Sequence, residues 1–462
     1  MKYLVICLLF LISVAAKAQS VTIDPANSNG VLMEAKSSNQ GVVLARMTTT
    51  ERKAINNPNA GTLVYDKDKL RYYLFDGQLW LALKLDLETE LIANERTISN
   101  AAAKYFRMRV AVSQKWAAVG LPEENVNGLQ NKGAVIIFEK TLNGWIQRTK
   151  LSPADGQSND RFGGSVAIKG DSLIVGAPYS LNGNRVNGAV YFYKYITSFI
   201  PNIGTIKYWS LQVKLQSNIS STGHSEFGQN VAFDNNHLVV GTNGQDGIVY
   251  VYNNLNQNWT FGQTLQIPLS SSSSNTLGRK IALSGDYLAI GAPYNNDESG
   301  QTTGAAFIFV KGGGTWTLQK ILYGDYDGDS FGFDICLVNE TLFVSSPRFD
   351  NDKGGVRIFK RSGSNWLYNK LIRPFDAQIL PVYQETIRFG DYISAKNDYL
   401  FISSLTGTVA VFKKDEYGFW SLYDKINCTK YPFAVSADMD VNSSTLIIGK
   451  YEDAKIKFVN IE

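Results

Sequence analysis

The sequence predicts an all-β fold: a seven-bladed β-propeller of four-stranded blades, preceded by a small mainly-β N-terminal module. Three observations predict it. One phrase occurs seven times, a tryptophan-bearing segment follows six of the copies, and 40 glycines are spread among regularly spaced polar turns.

The phrase is plainest at 160–193, DRFGGSVAIKGDSLIVGAPYSLNGNRVNGAVYFY. Its segments GGSVAI and SLIVGAP alternate as strands do and flank a tight turn at Lys169-Gly170-Asp171, the pattern of a hairpin. A third segment, GAVYFY, follows after a polar loop. Copies lead off at Phe106, Phe162, Phe227, Leu277, Phe331, Phe389 and Phe433. In six of them a small residue stands 14 positions later, at Gly120, Gly176, Gly241, Gly291, Ser345 and Ser403, whereas Phe433 to Gly449 spans 16. The period of about 54 residues is that of a propeller or solenoid. Trp145, Trp209, Trp259, Trp316, Trp366 and Trp420 then open a fourth strand in the first six copies. Radial packing of such units protects most strand edges. The lead Phe residues and the tryptophans read as core. The small residues read as places where neighbouring blades approach closely.

The phrases RFGGSVAIKGDSLIVGAPY and LGRKIALSGDYLAIGAPY resemble the FG-GAP repeats of integrin α-chain propellers, and more closely their short-loop form in secreted bacterial proteins. The resemblance covers about residues 100–462. It departs in one respect: integrin-type repeats carry a DxDxDG calcium loop between the first two strands, where this chain has the turns KGD, DNN, SGD, VNE and KND. These are too short and too poor in oxygen ligands for a calcium cage, so the metal sites of that family do not carry over.

At 462 residues with 44% apolar and 12% aromatic content, the chain can bury a sizeable core. Residues 1–18 read as a signal peptide, with Lys2, an apolar run and the A-x-A site Ala16-Lys17-Ala18. The run is too short to span a membrane. Export to the periplasm, the cell surface or the medium is the expectation, and no integral membrane segment is expected. Cleavage removes Lys2 and Lys17 and takes the formal charge from +4 to about +2, which leaves no electrostatic footprint for nucleic acid. Cys336 and Cys428 fall in unrelated parts of the repeat pattern, a placement that disfavours a disulfide.

Residues 19–92 form a separate N-terminal module, and the propeller runs from 93 to 462. The run NQGVVLARMTTTERKAINNPNAGTLVYDKDKLRYYLFDGQLWLAL resembles a module found in exported Bacteroidetes proteins and in phage tail-fibre-like chains. It matches at Gly41, Leu44, Arg46, Met47, Thr48, Glu51, Arg52, Ile55, Pro58, Gly61, Val64, Tyr65, Tyr73, Gly77 and Trp80, and departs at Ala45. The resemblance implies attachment or homo-oligomerisation. A plain N-terminal cap is the alternative. Because the seventh repeat lacks a tryptophan strand, 78–87 is the expected outermost strand of the last blade, beside 456–460.

Histidine chemistry has little to draw on: after cleavage only His224 and His237 are present, both expected at the surface. With no nucleophile elbow, P-loop or dinucleotide fingerprint in a suitable context, no catalytic residue is assigned. Carboxylates and aromatics gather in the loops that a propeller opens on one face, those joining successive blades and those between second and third strands. The expected ligand-binding face holds Glu123, Tyr179, Tyr294, Asp297, Glu298, Tyr326, Phe349 and Asp350. Asp325, Asp327 and Asp329 form the densest acidic group, with calcium as the one candidate cofactor and Asx turns as the competing reading. The function expected is non-catalytic binding of a protein or glycan. The alternatives are an extracellular carbohydrate-active enzyme using loop carboxylates and a self-assembling surface or fibre component.

Overall fold

The computed structural model describes residues 21–23, 33–35, 45–68, 71–82 apart from 76 and 78–79, and 96–97. It further describes 108–460 apart from 143, 184, 201–203, 218–224, 243–247, 256–257, 267–279, 378, 380–385, 428–437, 443 and 451–454. The expected signal peptide, the lead residues Phe106, Leu277 and Phe433, and Cys428 and His224 lie outside the described residues. The chain divides into two compact units, Met1–Glu90 and Leu91–Glu462. No helix among the described residues is long and apolar enough to cross a membrane.

In the first unit, strands Arg46–Met47, Leu63–Asp66, Arg71–Phe75 and Trp80–Ala82 form one sheet in that order, the first pair parallel. A helix, Thr49–Lys53, crosses between the parallel strands. Its start is fixed by a capping box in which Thr48 Oγ1 accepts from the Glu51 amide and the Glu51 carboxylate accepts from the Thr48 amide. The sheet buries an ion pair, Arg52 Nε to Asp66 Oδ2 at 2.9 Å. The guanidinium lies 3.7 Å from the Tyr73 ring centroid, so the charge is matched by a carboxylate on one side and an aromatic face on the other.

In the second unit the described residues form seven four-stranded antiparallel blades. The innermost strands are Arg109–Val112, Ser165–Lys169, Asn230–Phe233, Ile281–Ser284, Ile335–Val338, Ile393–Lys396 and Asp438–Val441, and each touches the next around a closed ring. Two-residue turns follow several of them. Gly170, Gly285, Asn339 and Asn397 take positive φ at the first turn position, as the hairpin twist requires. In six blades the third and fourth strands slip register by one residue at the same place, between Ile358 and Phe359 in the fifth, for example. Such a bulge tightens the local twist.

Core packing follows the repeat. Phe162, Phe227, Phe331 and Phe389 are fully buried, each contributing about 1.5–3 kcal/mol. The six fourth-strand tryptophans are buried as well. The small residue of the second strand does what close approach demands: a Cβ on Gly120, Gly176 or Gly291 would collide with the carbonyl oxygen of Gly163, Gly228 or Gly332 in the following blade. Blades are also stitched through the backbone, Phe162 N donating to Lys132 O and Phe331 N to Thr303 O, both at 3.0 Å.

Two expectations are corrected. The last blade is closed from the N-terminal side of the propeller, but by Arg96–Thr97, which pairs with Lys455–Asn460 through Lys455↔Thr97 and Ile456↔Arg96. Within the expected strand 78–87, Trp80–Ala82 instead completes the first unit's sheet, where the Trp80 and Phe75 rings lie 5.4 Å apart. His237 is not at the surface: it is 4% exposed, edge-on to Trp316, and its Nε2 accepts from Lys311 Nζ. Cys336 lies in an inner strand, its thiol directed at the Ala395 carbonyl and pushed up to about 12 by burial.

Candidate binding cleft between the fourth and fifth blades

The fourth strand of blade four, Thr315–Tyr323, leads into a loop, 324–330, before Phe331 enters blade five. Asp329 anchors this loop. It is 3% exposed, its Oδ2 accepts from the Tyr326 amide at 3.3 Å, and it turns Tyr326 outward to 62% exposure. Burial drives the Asp329 carboxyl above the ordinary carboxylate range, against the opposing pull of Arg357.

Arg357 is the organising residue. It occupies the third position of blade five's third strand, Gly355–Ser362, and is 3% exposed. Its Nε and Nη2 donate to Asp325 Oδ2 at 3.0 and 2.5 Å, Nη2 also to Asp329 Oδ2 at 3.3 Å, and Nη1 to Ser346 Oγ at 2.7 Å. The guanidinium lies 4.9 Å from the Phe349 ring centroid. Asp327 takes no part in this network; its Oδ1 accepts from the Thr302 amide at 2.8 Å.

The second wall is the loop between second and third strands of blade five. Phe349 is buried, while Asp350, Asn351 and Asp352 take consecutive left-handed conformations with φ of 53°, 57° and 62°. Asp and Asn tolerate this region better than other non-glycine residues, yet three in a row is costly. The next blade holds the turn in place, since the Ile387 and Arg388 amides both donate to the Asp352 carbonyl. Arg348 and Arg373 complete the rim, Arg373 standing 5.6 Å from the Phe349 ring centroid. Together these walls enclose an open cleft of ≈ 620 Å³.

Tyr326, Asp327, Asp329, Phe349 and Asp350 therefore line one cleft. The expected calcium group is arranged otherwise: Asp325 and Asp329 share a protein cation, Asp327 is turned to a backbone amide, and no cluster of three metal-ligating side chains forms among the described residues. Glu123 and Tyr179 meet elsewhere, around Arg161, whose Nη2 lies 3.9 Å from Glu123 Oε1 and whose Cζ lies 4.7 Å from the Tyr179 ring centroid. Burial first, then Glu226, pushes the Tyr179 hydroxyl above its usual range. Asp297 folds its own loop, accepting from Ser299 Oγ and from the Ser299 and Gln301 amides; the Ser299 hydroxyl above all holds it below the usual carboxylate range. Glu298 is exposed on that loop and Tyr294 is half-buried at its start. The sequence reading missed Arg348, Arg357 and Arg373. A signal was available for Arg357: GGVRIF places a charge inside a segment whose counterparts, such as GAAFIF, are apolar.

Comparison with known proteins agrees with this architecture. FG-GAP repeats match at residues 145–193 and 268–309, and a phage tail like trimerisation region matches at 21–99. No curated protein matches the sequence. Among solved structures, the β-propeller domain of Cps50 (Swd1) from Myceliophteria thermophila is similar, with a TM-score of 0.50 and 11% identity over 79% of this chain and 99% of that one. A protein from Lactobacillus plantarum aligns over 73% of this chain and 89% of its own, with 13% identity and a TM-score of 0.47. The Cps50 likeness shows the propeller fold alone.

Proposed function

We propose that this chain, an FG-GAP propeller behind a tail-like trimerisation region, is an exported, non-catalytic binding protein that holds a protein or glycan ligand in the cleft between blades four and five. The observation that carries the proposal is Tyr326, 62% exposed beside Phe349 in a ≈ 620 Å³ cleft whose rim offers both arginines and aspartates. An aromatic anchor among polar groups, set on loops held by a rigid scaffold, is how recognition surfaces are built. The Asp325–Arg357–Asp329 network supports the same reading, because it fixes the loop that presents Tyr326. Trimerisation through 21–99 would place three clefts on one particle and raise avidity without further contacts.

The test is an array of polysaccharides and surface proteins probed with the chain and with Tyr326→Ala. The expected outcome is saturable retention on one ligand class, weakened at least tenfold by the substitution, with the ligand recovered unchanged. Retention indifferent to Tyr326→Ala would overturn the site, and a chemically altered ligand would overturn the non-catalytic reading. Light scattering is expected to return about three times the chain mass.

A further inference from the structure

The seven innermost strands surround an axial channel, and on the face of the first-to-second-strand turns, opposite the cleft, its mouth opens into a cavity of ≈ 750 Å³. We propose that this mouth binds a small organic anion with an apolar body.

Apolar surface comes from Val166, Ala167, Val231, Ala232 and Phe233, all half-buried on the innermost strands of blades two and three. Around them stand the ammonium groups of Lys115, Lys169, Lys280 and Lys396, against two carboxylates, Asp171 and Asp440, a formal excess of +2. Both carboxylates already hold protein donors. Asp171 Oδ1 accepts from the Trp116 indole at 2.8 Å, and Asp440 accepts from the Val112 and Val441 amides at 2.8 and 2.9 Å. Lys115 is drawn outward to Glu139, 3.5 Å away, and Lys280 inward to Asp334, 3.8 Å away. Lys169 and Lys396, both exposed at the rim, are left to meet a ligand.

The channel does not admit the ligand further. Beyond the mouth lies a chamber of only ≈ 70 Å³, where Arg109 and Lys280 are balanced by Asp334 and Asp391. That space suits a few waters. The anionic group would therefore rest between Lys169 and Lys396 with its apolar body against Ala167 and Phe233. A concave apolar wall with a few convergent polar groups is the usual form of a small-molecule site.

Phenyl phosphate, inorganic phosphate and phenol, titrated calorimetrically into the full chain, separate the two halves of the proposal. Phenyl phosphate is expected to bind saturably and at least tenfold more tightly than either fragment. Lys169→Glu with Lys396→Glu should weaken it at least tenfold, while Tyr326→Ala on the opposite face leaves it unchanged. Both lysines are exposed, so the melting temperature should hold; if the double reversal lowers it, Lys396→Ser alone makes the same test, with a smaller loss expected. Absence of saturable binding, inorganic phosphate binding as tightly as the phenyl ester, or indifference to the lysine substitutions would each overturn the proposal.

Discussion

The junction between blades one and two and the junction between blades four and five begin from the same parts and end differently. Each carries a buried aspartate two positions before the lead Phe, Asp160 in one and Asp329 in the other, which accepts the amide three residues back. Each adds a second aspartate upstream, Asp155 or Asp325, and each is met by the third residue of the following blade's third strand. At the first junction that residue is Tyr191, whose hydroxyl stands 3.4 Å from Asp155, and the charge is supplied from the side by Lys214 at 2.7 Å. At the second it is Arg357, which gathers both aspartates itself and stacks on Phe349. A central guanidinium secures the loop from beneath and leaves Tyr326 outside. The difference teaches that the blade-joining carboxylates are structural staples, and that the identity of the residue they meet decides which side chain is left at the surface for the proposed binding.

The largest expected effect tests whether the two junctions share one backbone geometry. Gly133 and Gly304 have φ of +87° and +82°, and a Cβ on either would strike the carbonyl oxygen of the next lead Phe. Gly133→Ala and Gly304→Ala should each lower stability by about 3–5 kcal/mol in denaturant titrations. A large loss at one and none at the other would break the equivalence.

Next comes the staple itself. Arg357→Met leaves Asp329, 3% exposed, without its cation, and should cost about 3 kcal/mol. Tyr191→Phe removes a long hydrogen bond to Asp155 and a contact with Ser180 but leaves no buried charge unpaired, and should cost about 1 kcal/mol. Equal losses would mean that the arginine has no special place.

The smallest effect is one of sign. Burial pushes Asp160 above the ordinary carboxylate range, and Lys214 lowers it less than burial raises it. A carboxyl whose folded pKa is raised is best tolerated below its unfolded value, and its contribution is lost as pH rises through the folded value. Asp160→Asn should therefore match or exceed the parent melting temperature at pH 7, with the advantage shrinking as pH falls toward 4. A variant less stable than its parent at pH 7 would show that the charge itself is needed there.

The blades were legible in the sequence because their determinants are local and repeated. The spacing from Phe331 to Ser345 and the tryptophan at 366 are read within one copy and confirmed by the next. The closing strand was not, because two residues, Arg96 and Thr97, carry no alternation to detect, and their partners stand at the far end of the chain. Trp80 pointed to the wrong sheet because an amphipathic strand ending in tryptophan suits both, and the local pairing with Phe75 decides between them. In the cleft, Tyr326, Phe349 and Asp350 were legible as loop residues on a predicted face. Arg357 was not, because its role depends on two aspartates from the preceding loop reaching it across the junction.

The clasp at Arg96–Thr97 also has a mechanical meaning. The first compact unit ends at Glu90, so tension applied through the N-terminus reaches these two residues before any other strand of the ring. Among the described residues they hold the last blade through two residue pairs, where the corresponding outer strand of blade five, Asn365–Ile372, is held through seven. Load would peel this short strand first and leave the three strands inside it, with Ile447, Ile456 and Phe458, still packed against blade one. The expected breaking point of the ring under load is therefore the place where the pull enters.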